Sequence, residues 1–545
     1  MDEEHDGTLR VLGIEGTAWA ASAAVYDEAT GEIVIETDAY QPADGGIHPR
    51  EAAEHMQERV PDVVAAALDE AAERAGEERP PVDCVAFSRG PGLGPCLRVV
   101  GTTARSVAQV LDVPLVGGNH MVAHLEIGRH LSGFDSPVCL NASGANAHVL
   151  GYNGGRYRVL GETMDTGVGN AIDKFARHVG WSHPGGPKVE EAARDGEYVE
   201  LPYVVKGMDF SFSGLASAAQ DAVDDGVPVE DVCCGLQETV FGMLAEVAER
   251  ALSLTGSDEL VLGGGVAQNR RLQEMLAAMC EARGADFHVP EDRFLRDNAG
   301  MIAVLGAKMF RAGDTLSVED SQVLPNFRPD EVAVTWRSGE SVARVPPERR
   351  EVRGAEAVVT IEDDRVIKRR LPKPYRHPEL DARLRRERTF AEARLTSLAR
   401  RHGVPTPAVR DVDPEEATLI FEKVGERDLG RALSTSRVRA VGRHLGTLHG
   451  AGMVHGDPTT RNVRVAGDTD SGGDGATYLI DFGLGFHSDD VEDYAMDLHV
   501  FEQSLDGTAD DAPGMCEAFE DGYRETGDEG VLDQLRAIEG RGRYQ

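Results

Sequence analysis

Lysine is the scarcest thing in this sequence relative to its charge. Among 545 residues there are seven lysines against 49 arginines, while Asp and Glu together number 94 and the formal net charge is −38. So acidic a chain could be disordered, but 41% hydrophobic residues is too many for that. Dense carboxylates with few lysines suit a surface kept soluble in high salt, and a halophilic source is expected. In dilute buffer such a charge would argue against a nucleic-acid partner. In molar salt the Debye length falls to ~3 Å, so only local basic patches decide the matter. Cysteine is scarce too: seven residues and no CxxC pair exclude a disulfide framework and a zinc knuckle. The adjacent Cys233 and Cys234 are expected to pack on a helix. Long apolar runs are missing, which excludes a membrane-spanning helix. Met1–Arg10 opens with Asp2, Glu3 and Glu4, unlike a secretory leader, and a cytoplasmic location is expected.

The chain is too long for one hydrophobic core, so at least two domains are expected. Strand-like runs at Arg10–Ile14, Val82–Phe87, Val113–Val116, Val138–Asn141 and Leu260–Leu262 alternate with helical stretches at Glu51–Ala75, Thr102–Val110, Val229–Leu252 and Arg271–Arg283. That is an α/β pattern. Residues 1–336 form this first domain, and Val323–Trp336, with Pro325 and Pro329, closes it. Residues 337–353 are polar, carry Pro346-Pro347 and lack periodicity, so they are assigned to a linker. Residues 354–545 begin a new pattern: paired strands Val358–Ile361 and Arg365–Lys368 about the turn Glu362–Asp364, then a charged helix near Pro378–Arg401.

Three glycine-rich loops each follow a strand of the first domain: Gly13–Ala18, Asn141–Asn146 and Gly263–Asn269. Ligands of open α/β sheets gather at the carboxyl ends of strands, and glycine turns can offer backbone N–H groups to phosphate. Neither a GxGxxG nor a GK[ST] sequence occurs. The set is similar to the actin/Hsp70/sugar-kinase (ASKHA) ATPase fold, in which two similar lobes clasp a nucleotide; three ordinary tight turns are the plainer reading. His120 and His124 lie four apart, which on a helix puts both imidazoles on one face, suited to one metal ion. Alone, the pair reads more readily as buried packing or capping. Met121 stands where a zinc protease needs Glu. Asp297 is the best candidate for a third ligand.

At this point the chain resembles a known family. Phe87–Arg98, the NHxxxH segment, Gly169–Phe175, Pro184–Lys188 and Phe210–Gly214 are similar to the universal tRNA threonylcarbamoyl transferase, the catalytic subunit of the archaeal and eukaryotic KEOPS complex, over about residues 8–336. The resemblance implies transfer of a threonylcarbamoyl group from threonylcarbamoyl-AMP to the exocyclic amine of the adenosine 3′ of the anticodon, in tRNAs reading codons that begin with A. It implies one divalent metal, iron or zinc, held by His120, His124 and Asp297. It also implies an adenylate site built from Asn141, Ala142, Ser143, Gly144, Ala145, Asp173, Gly186, Glu190 and Asn269. The family has Tyr where this chain has Asn141, so the fourth ligand is either the Asn141 amide oxygen or water.

In the second domain, His455-Gly456-Asp457 and Asn462 keep the Asp-to-Asn interval of a kinase catalytic loop, and Asp481-Phe482-Gly483 follows 19 residues on, after an apolar strand. Lys368 fits the strand lysine that grips phosphates, and Glu392 its helix partner, with Glu387 as the alternative. Gly354–Ala357 stands where a glycine-rich loop would cover the phosphates. Gly456 replaces the usual Arg, no A-P-E follows, and 64 residues after Asp481 are too few for a full kinase C-lobe. These features, with Lys373–Arg376 and the tail Arg541–Arg543, resemble the small RIO-like atypical kinase of the same complex. That implies an α+β kinase-like fold using ATP and Mg, an activity chiefly ATPase in support of the tRNA reaction, and partner subunits: a small dimer-forming one on the first domain and a regulator on the kinase. Lys368–Arg388 carries nine Lys/Arg against three Asp/Glu; it reads either as a tRNA-backbone contact or as a helix with internal ion pairs. A sugar-kinase-like phosphotransferase and a non-enzymatic scaffold subunit are the competing functions.

Overall fold

The computed structural model describes residues 9–40, 48–75, 80–144, 146–153, 155–337, 351–467, 475–509 and 511–541. Among these, the chain divides into two compact units, one of residues 9–203 and 211–337, the other of residues 351–541 together with 204–210.

The first unit contains the same sheet twice. In one copy the spatial order is Glu32–Ala39, Ala20–Asp27, Arg10–Glu15, Cys84–Gly90, Leu115–Asn119; in the other it is Arg156–Glu162, Ala147–Asn153, Val138–Ala142, Glu259–Gly263, Asp286–His288. Each runs through three antiparallel strands and adds two parallel ones beside the first. The repeat explains the glycine loops. Gly13–Ala18 and Asn141–Asn146 both follow the first strand of a copy, and Gly263–Asn269 follows the fourth strand, as Gly90–Gly94 does in the first copy. This duplicated α/β architecture is the one expected of the ASKHA class. Helix Ala299–Arg311 covers one face of the first sheet; helices Pro49–Ala75 and Gly94–Leu111 cover the other.

Expectation and structure differ in instructive places. The helix expected over Thr102–Val110 begins at Gly94, because Pro95 falls in its first turn, where a missing N–H costs nothing. Strand Ala20–Asp27 is buried along its whole length, so it shows no alternation of polar and apolar residues and escapes a period-two search. The assigned linker is shorter than 337–353. Its central residues 338–350 lie outside the described ones, but Arg337 belongs to the first unit, its guanidinium 3.7 Å from the Tyr152 ring centroid. At the other end Glu351–Arg353 is a strand paired antiparallel with Ala357–Ile361.

The second unit opens with an antiparallel five-stranded sheet, in the order Glu351–Arg353, Ala357–Ile361, Arg365–Arg370, Thr418–Glu422, Val409–Asp413, with the helix Pro378–Arg401 following its third strand. Helices Thr435–Gly450, Val491–Asp506, Ala512–Arg524 and Glu529–Arg541 form the rest around a core that includes Leu445, Leu479, Phe501 and Phe519. This sheet-then-helices order is an α+β arrangement.

Candidate metal centre and nucleotide sites

The histidine pair lies on a helix, as its spacing requires for a shared face. Asn119 ends a strand and caps the helix His120–Ser132, its Oδ1 accepting from Met121 N at 2.9 Å and Val122 N at 3.1 Å. With His120 as the first helical residue, the four-residue spacing sets the imidazoles side by side, ring centroids 4.9 Å apart. Asp297 arrives from the turn between Asp292–Leu295 and Ala299–Arg311, its Oδ1 3.4 Å from Nε2 of both histidines. One ligand atom from each of the three lies within 4.8 Å of the others.

A fourth participant went unnoticed in the sequence. Glu15, fully buried at the end of the first strand, brings Oε2 to 3.2 Å from His120 Nδ1, while its Oε1 accepts from Thr17 N at 2.8 Å. A carboxylate behind a ligating imidazole fixes its tautomer and raises its basicity. The available signal was an acidic residue inside the apolar strand-and-glycine run Val11–Gly16. Burial opposes protonation of His120, but Glu15 and Asp297 outweigh it and lift that imidazole to about 10. Burial pushes His124 down. Asp297, although buried, is held well below the usual carboxylate range by His120 and His124. Two carboxylates thus favour positive charge between the imidazoles, and the donor set suits a divalent cation, iron or zinc alike.

Asn141 lies at the end of strand Val138–Ala142. Its Nδ2 donates to Met121 Sδ at 3.7 Å, and its buried Oδ1 has no hydrogen-bond partner among the described residues. Gly264 makes room for it: at φ +87° a Cβ there would come within 2.2 Å of Ala142 O and 2.6 Å of Asn141 Oδ1.

The residues assigned to the adenylate form a chain of contacts. Gly169 N donates to Ser143 O at 3.2 Å and Asn170 N to Gly144 O at 2.9 Å, so the second glycine loop rests on the start of helix Val168–His178. Gly169 permits this approach, since a Cβ would meet Gly144 Cα at 2.7 Å. Asp173, on the same helix, accepts from Gly185 N at 2.6 Å and lies 3.1 Å from His183 Nδ1. Gly186 opens helix Gly186–Ala193, and Glu190 within it accepts from Arg270 N at 3.1 Å. Asn269 caps helix Arg270–Arg283. Ala142 ends its strand, and Ala145 lies outside the described residues.

In the second unit, Lys368 on the third strand places Nζ 2.9 Å from Glu392 Oε1 and 2.6 Å from Asp481 Oδ1. Glu392 is therefore the helix partner; Glu387 is exposed. Asp481 takes φ +66°, a left-handed conformation rare for a side-chain-bearing residue. Burial would raise its carboxyl, but Lys368 and Arg370 hold it down at about 2. Asn462 Nδ2 donates to Asp457 Oδ2 at 3.0 Å. Ile480 N donates to Asn462 O at 2.9 Å, tying this loop to the segment bearing Asp481. Two residues were missed. Arg370 Nη2 lies 2.5 Å from Glu392 Oε2, so one carboxylate carries two cations. Asp497 accepts from His455 N at 2.6 Å and Gly456 N at 2.8 Å, anchoring the backbone that leads to Asp457. The clue to it was an acid within the apolar run of helix Val491–Asp506. Gly354–Ala357 is a tight hairpin, Gly354 N donating to Ala357 O at 2.9 Å.

The basic stretch 368–388 is largely neutralised from within. Beyond Lys368 and Arg370, Lys373 donates to Ala355 O, Arg388 and Arg376 meet Glu356 at 2.8 and 3.5 Å, and Arg385 meets Asp381 at 2.7 Å. The reading as internal ion pairs prevails for five of these, with Lys373 held by a carbonyl; Arg369 and Arg386 remain exposed. The tail residues Gly542 and Arg543 lie outside the described residues.

Comparison with known proteins now bears on this geometry. The model of the family "TsaD: tRNA N6-adenosine threonylcarbamoyltransferase" matches residues 28–304, just over half of the chain. Proteins named "Probable bifunctional tRNA threonylcarbamoyladenosine biosynthesis protein" are similar from end to end. The one from Halobacterium salinarum is 69% identical across 98% of this chain and 99% of its own length. The one from Natronomonas pharaonis is 70% identical across 98% and 100%, and that from Methanospirillum hungatei 51% identical across 98% and 99%. Among solved structures, HypF of T. kodakarensis aligns at 17% identity and TM-score 0.43 over 57% of this chain and 49% of its own, too remote to carry an argument. With a transferase-family match over half its length and relatives of up to 70% identity along nearly all of it, the chain belongs to the family of bifunctional tRNA threonylcarbamoyladenosine biosynthesis proteins.

Proposed function

We propose that the first unit transfers a threonylcarbamoyl group from threonylcarbamoyl-AMP to the exocyclic amine of the adenosine 3′ of the anticodon in tRNAs reading ANN codons, and that the second is an atypical kinase acting chiefly as an ATPase in its support. The observation that carries the transferase reading is the convergence of His120, His124 and Asp297 beside a glycine loop. Those three residues, with Asn141 Oδ1 as fourth donor, would hold one divalent ion, which when bound supplies positive charge for the phosphate and carbamoyl oxygens. Glu15 fixes the His120 tautomer. The loop Asn141–Ala145, braced against the start of helix Val168–His178, offers backbone N–H groups to the phosphate. Asp173 and Glu190 accept from ribose hydroxyls, and Gly186 and Asn269 shape the adenosine's surroundings. Held there, the donor's carbamoyl carbon is open to the tRNA amine, and AMP leaves.

In the second unit Lys368 grips the α/β-phosphates of ATP, Asp481 and Asn462 hold Mg, Glu392 orients Lys368, and Asp457 positions the attacking hydroxyl or water. A small dimer-forming subunit and a regulator of the kinase are the expected protein partners, in a cytoplasmic complex. A sugar-kinase-like phosphotransferase has no use for the paired histidines. Incubating the purified chain with threonylcarbamoyl-AMP, unmodified tRNA and the partner subunits tests the reading. Transfer that disappears in Asp297→Ala supports it; no transfer by the wild-type chain favours the phosphotransferase or scaffold alternatives. Metal analysis of Asn141→Tyr tests the fourth ligand.

A further inference from the structure

An aromatic platform stands beside the metal ligands with no part in the chemistry above. Trp19 lies in the turn between strands Arg10–Glu15 and Ala20–Asp27, four residues beyond Glu15, and is half-buried. The guanidinium of Arg296 lies over its ring, Cζ 5.6 Å from the centroid. Arg296 immediately precedes the ligand Asp297, is exposed, and donates through Nε to Gln268 Oε1 at 3.1 Å. Among the described residues no carboxylate pairs with it, in a chain of net charge −38. The stack therefore joins three loops of the first unit: the first glycine loop, the third, and the turn carrying a metal ligand. Of the residues assigned to the donor adenylate, Asn269 shares the third loop with Gln268, and the others lie on segments 141–145 and 173–190.

We propose that Trp19 and Arg296 form a base-stacking platform for an unpaired nucleotide of the tRNA anticodon loop, seating the acceptor adenosine at the metal centre. This rests on the transferase reading above. Sequence-specific recognition of RNA favours unpaired loop bases laid on aromatic rings and guanidinium planes. The salt setting strengthens the case. Phosphate contacts weaken steeply as salt rises, whereas every base has a π-face whose stacking does not depend on unscreened charge. A protein this acidic, built for high salt, gains most from a stack.

The test titrates a fluorescent anticodon stem-loop RNA against the metal-loaded full-length chain in molar KCl, with the KM for threonylcarbamoyl-AMP measured in parallel. Trp19→Leu should weaken RNA binding on the order of tenfold, and Trp19→Phe should restore most of it. Arg296→Gln should weaken RNA binding several-fold, with Arg296→Lys falling short of wild type, and the adenylate KM should not move. If Trp19→Leu and Arg296→Gln bind RNA as wild type does, the proposal fails. A rise in the adenylate KM with RNA affinity unchanged would also overturn it, assigning the stack to the donor's adenine. Should Trp19→Leu misfold, the exposed Arg296→Gln decides. A wild-type chain that transfers nothing to tRNA defeats the transferase reading itself; a wild-type chain that transfers, with variants binding RNA normally, defeats only the platform.

Discussion

The two units treat buried charge in opposite ways. In the first, two carboxylates, Glu15 and Asp297, face two imidazoles, and the surplus is negative. In the second, two strand cations, Lys368 and Arg370, face Glu392 and Asp481, and the charges balance within the chain. One site is organised to receive a cation. The other already owns its cations, as the proposed binding of ATP with magnesium would require. The difference predicts different failures. Removing a ligand from the first leaves a site that folds and does not fill. Removing a charge from the second leaves an uncompensated ion in the interior.

The sharpest way to break the comparison is at the metal centre. Asp297→Ala and His124→Ala should each abolish stoichiometric metal, read by elemental analysis, and lower threonylcarbamoyl transfer by at least about 100-fold, since even outer-shell changes cost ~10–100-fold. Glu15→Gln should fall in that smaller range. ATP hydrolysis should not change in any of the three. Metal retained in Asp297→Ala would show that the two sites are not opposites.

In the second unit Glu392→Gln strands Arg370 and leaves Lys368 with Asp481 alone, and breaking a buried pair costs about 3–5 kcal/mol. Chemical denaturation should show that loss, accompanied by loss of ATP hydrolysis and by unchanged metal in the first unit. Lys368→Met should abolish hydrolysis with a smaller loss of stability, because Arg370 still neutralises Glu392. If both variants unfold alike, Arg370 is not the second cation that the 2.5 Å contact implies.

A smaller effect concerns pH. His444 is half-buried, its Nε2 2.9 Å from Thr477 Oγ1, and desolvation holds its imidazole down at about 4. Its unfolded counterpart titrates near 6.5, so between pH 6.5 and 4 the unfolded state binds the proton that the folded state refuses. Stability contributed by this group is complete above pH 6.5 and is lost as pH falls toward 4, by about 3 kcal/mol at most. His455, lowered by burial as well, adds in the same direction. Melting curves of wild type and His444→Gln from pH 7.5 to 4.5 should converge in acid.

How much of this was legible beforehand follows the same physics. The histidine pair could be named from its helical spacing and Lys368 and Asp481 from motifs on or after apolar strands, whereas Asp297 and Glu392 were named through the family resemblances. Glu15, Arg370 and Asp497 could not be named, because each acts through a contact with a residue 105, 22 or 42 positions away. The duplicated sheet was only half visible. Its parallel strands are short apolar runs between glycine turns, whereas Ala20–Asp27 is buried on both faces and rich in alanine, so neither alternation nor β-branched residues betray it.

The smallest effect tests the stretch 368–388, which composition alone would have made an RNA-binding surface. Six of its nine basic side chains are committed within the unit, to Glu392, Asp481, Glu356, Asp381 and the carbonyl of Ala355. Exposed Arg386 is free to meet a phosphate, whereas Arg385 is held by Asp381. Arg386→Glu should therefore weaken tRNA binding only about threefold at low salt, lower the salt slope by about one, and have no measurable effect in molar KCl. Arg385→Glu instead places a carboxylate against Asp381 and should act through stability, lowering the melting temperature at every salt concentration. Comparing the two substitutions, one residue apart, separates a phosphate contact from an internal ion pair. A large, salt-independent loss of tRNA affinity in Arg386→Glu would mean that the second unit reads the RNA directly, and that the balanced charge seen in its interior does not extend to its surface.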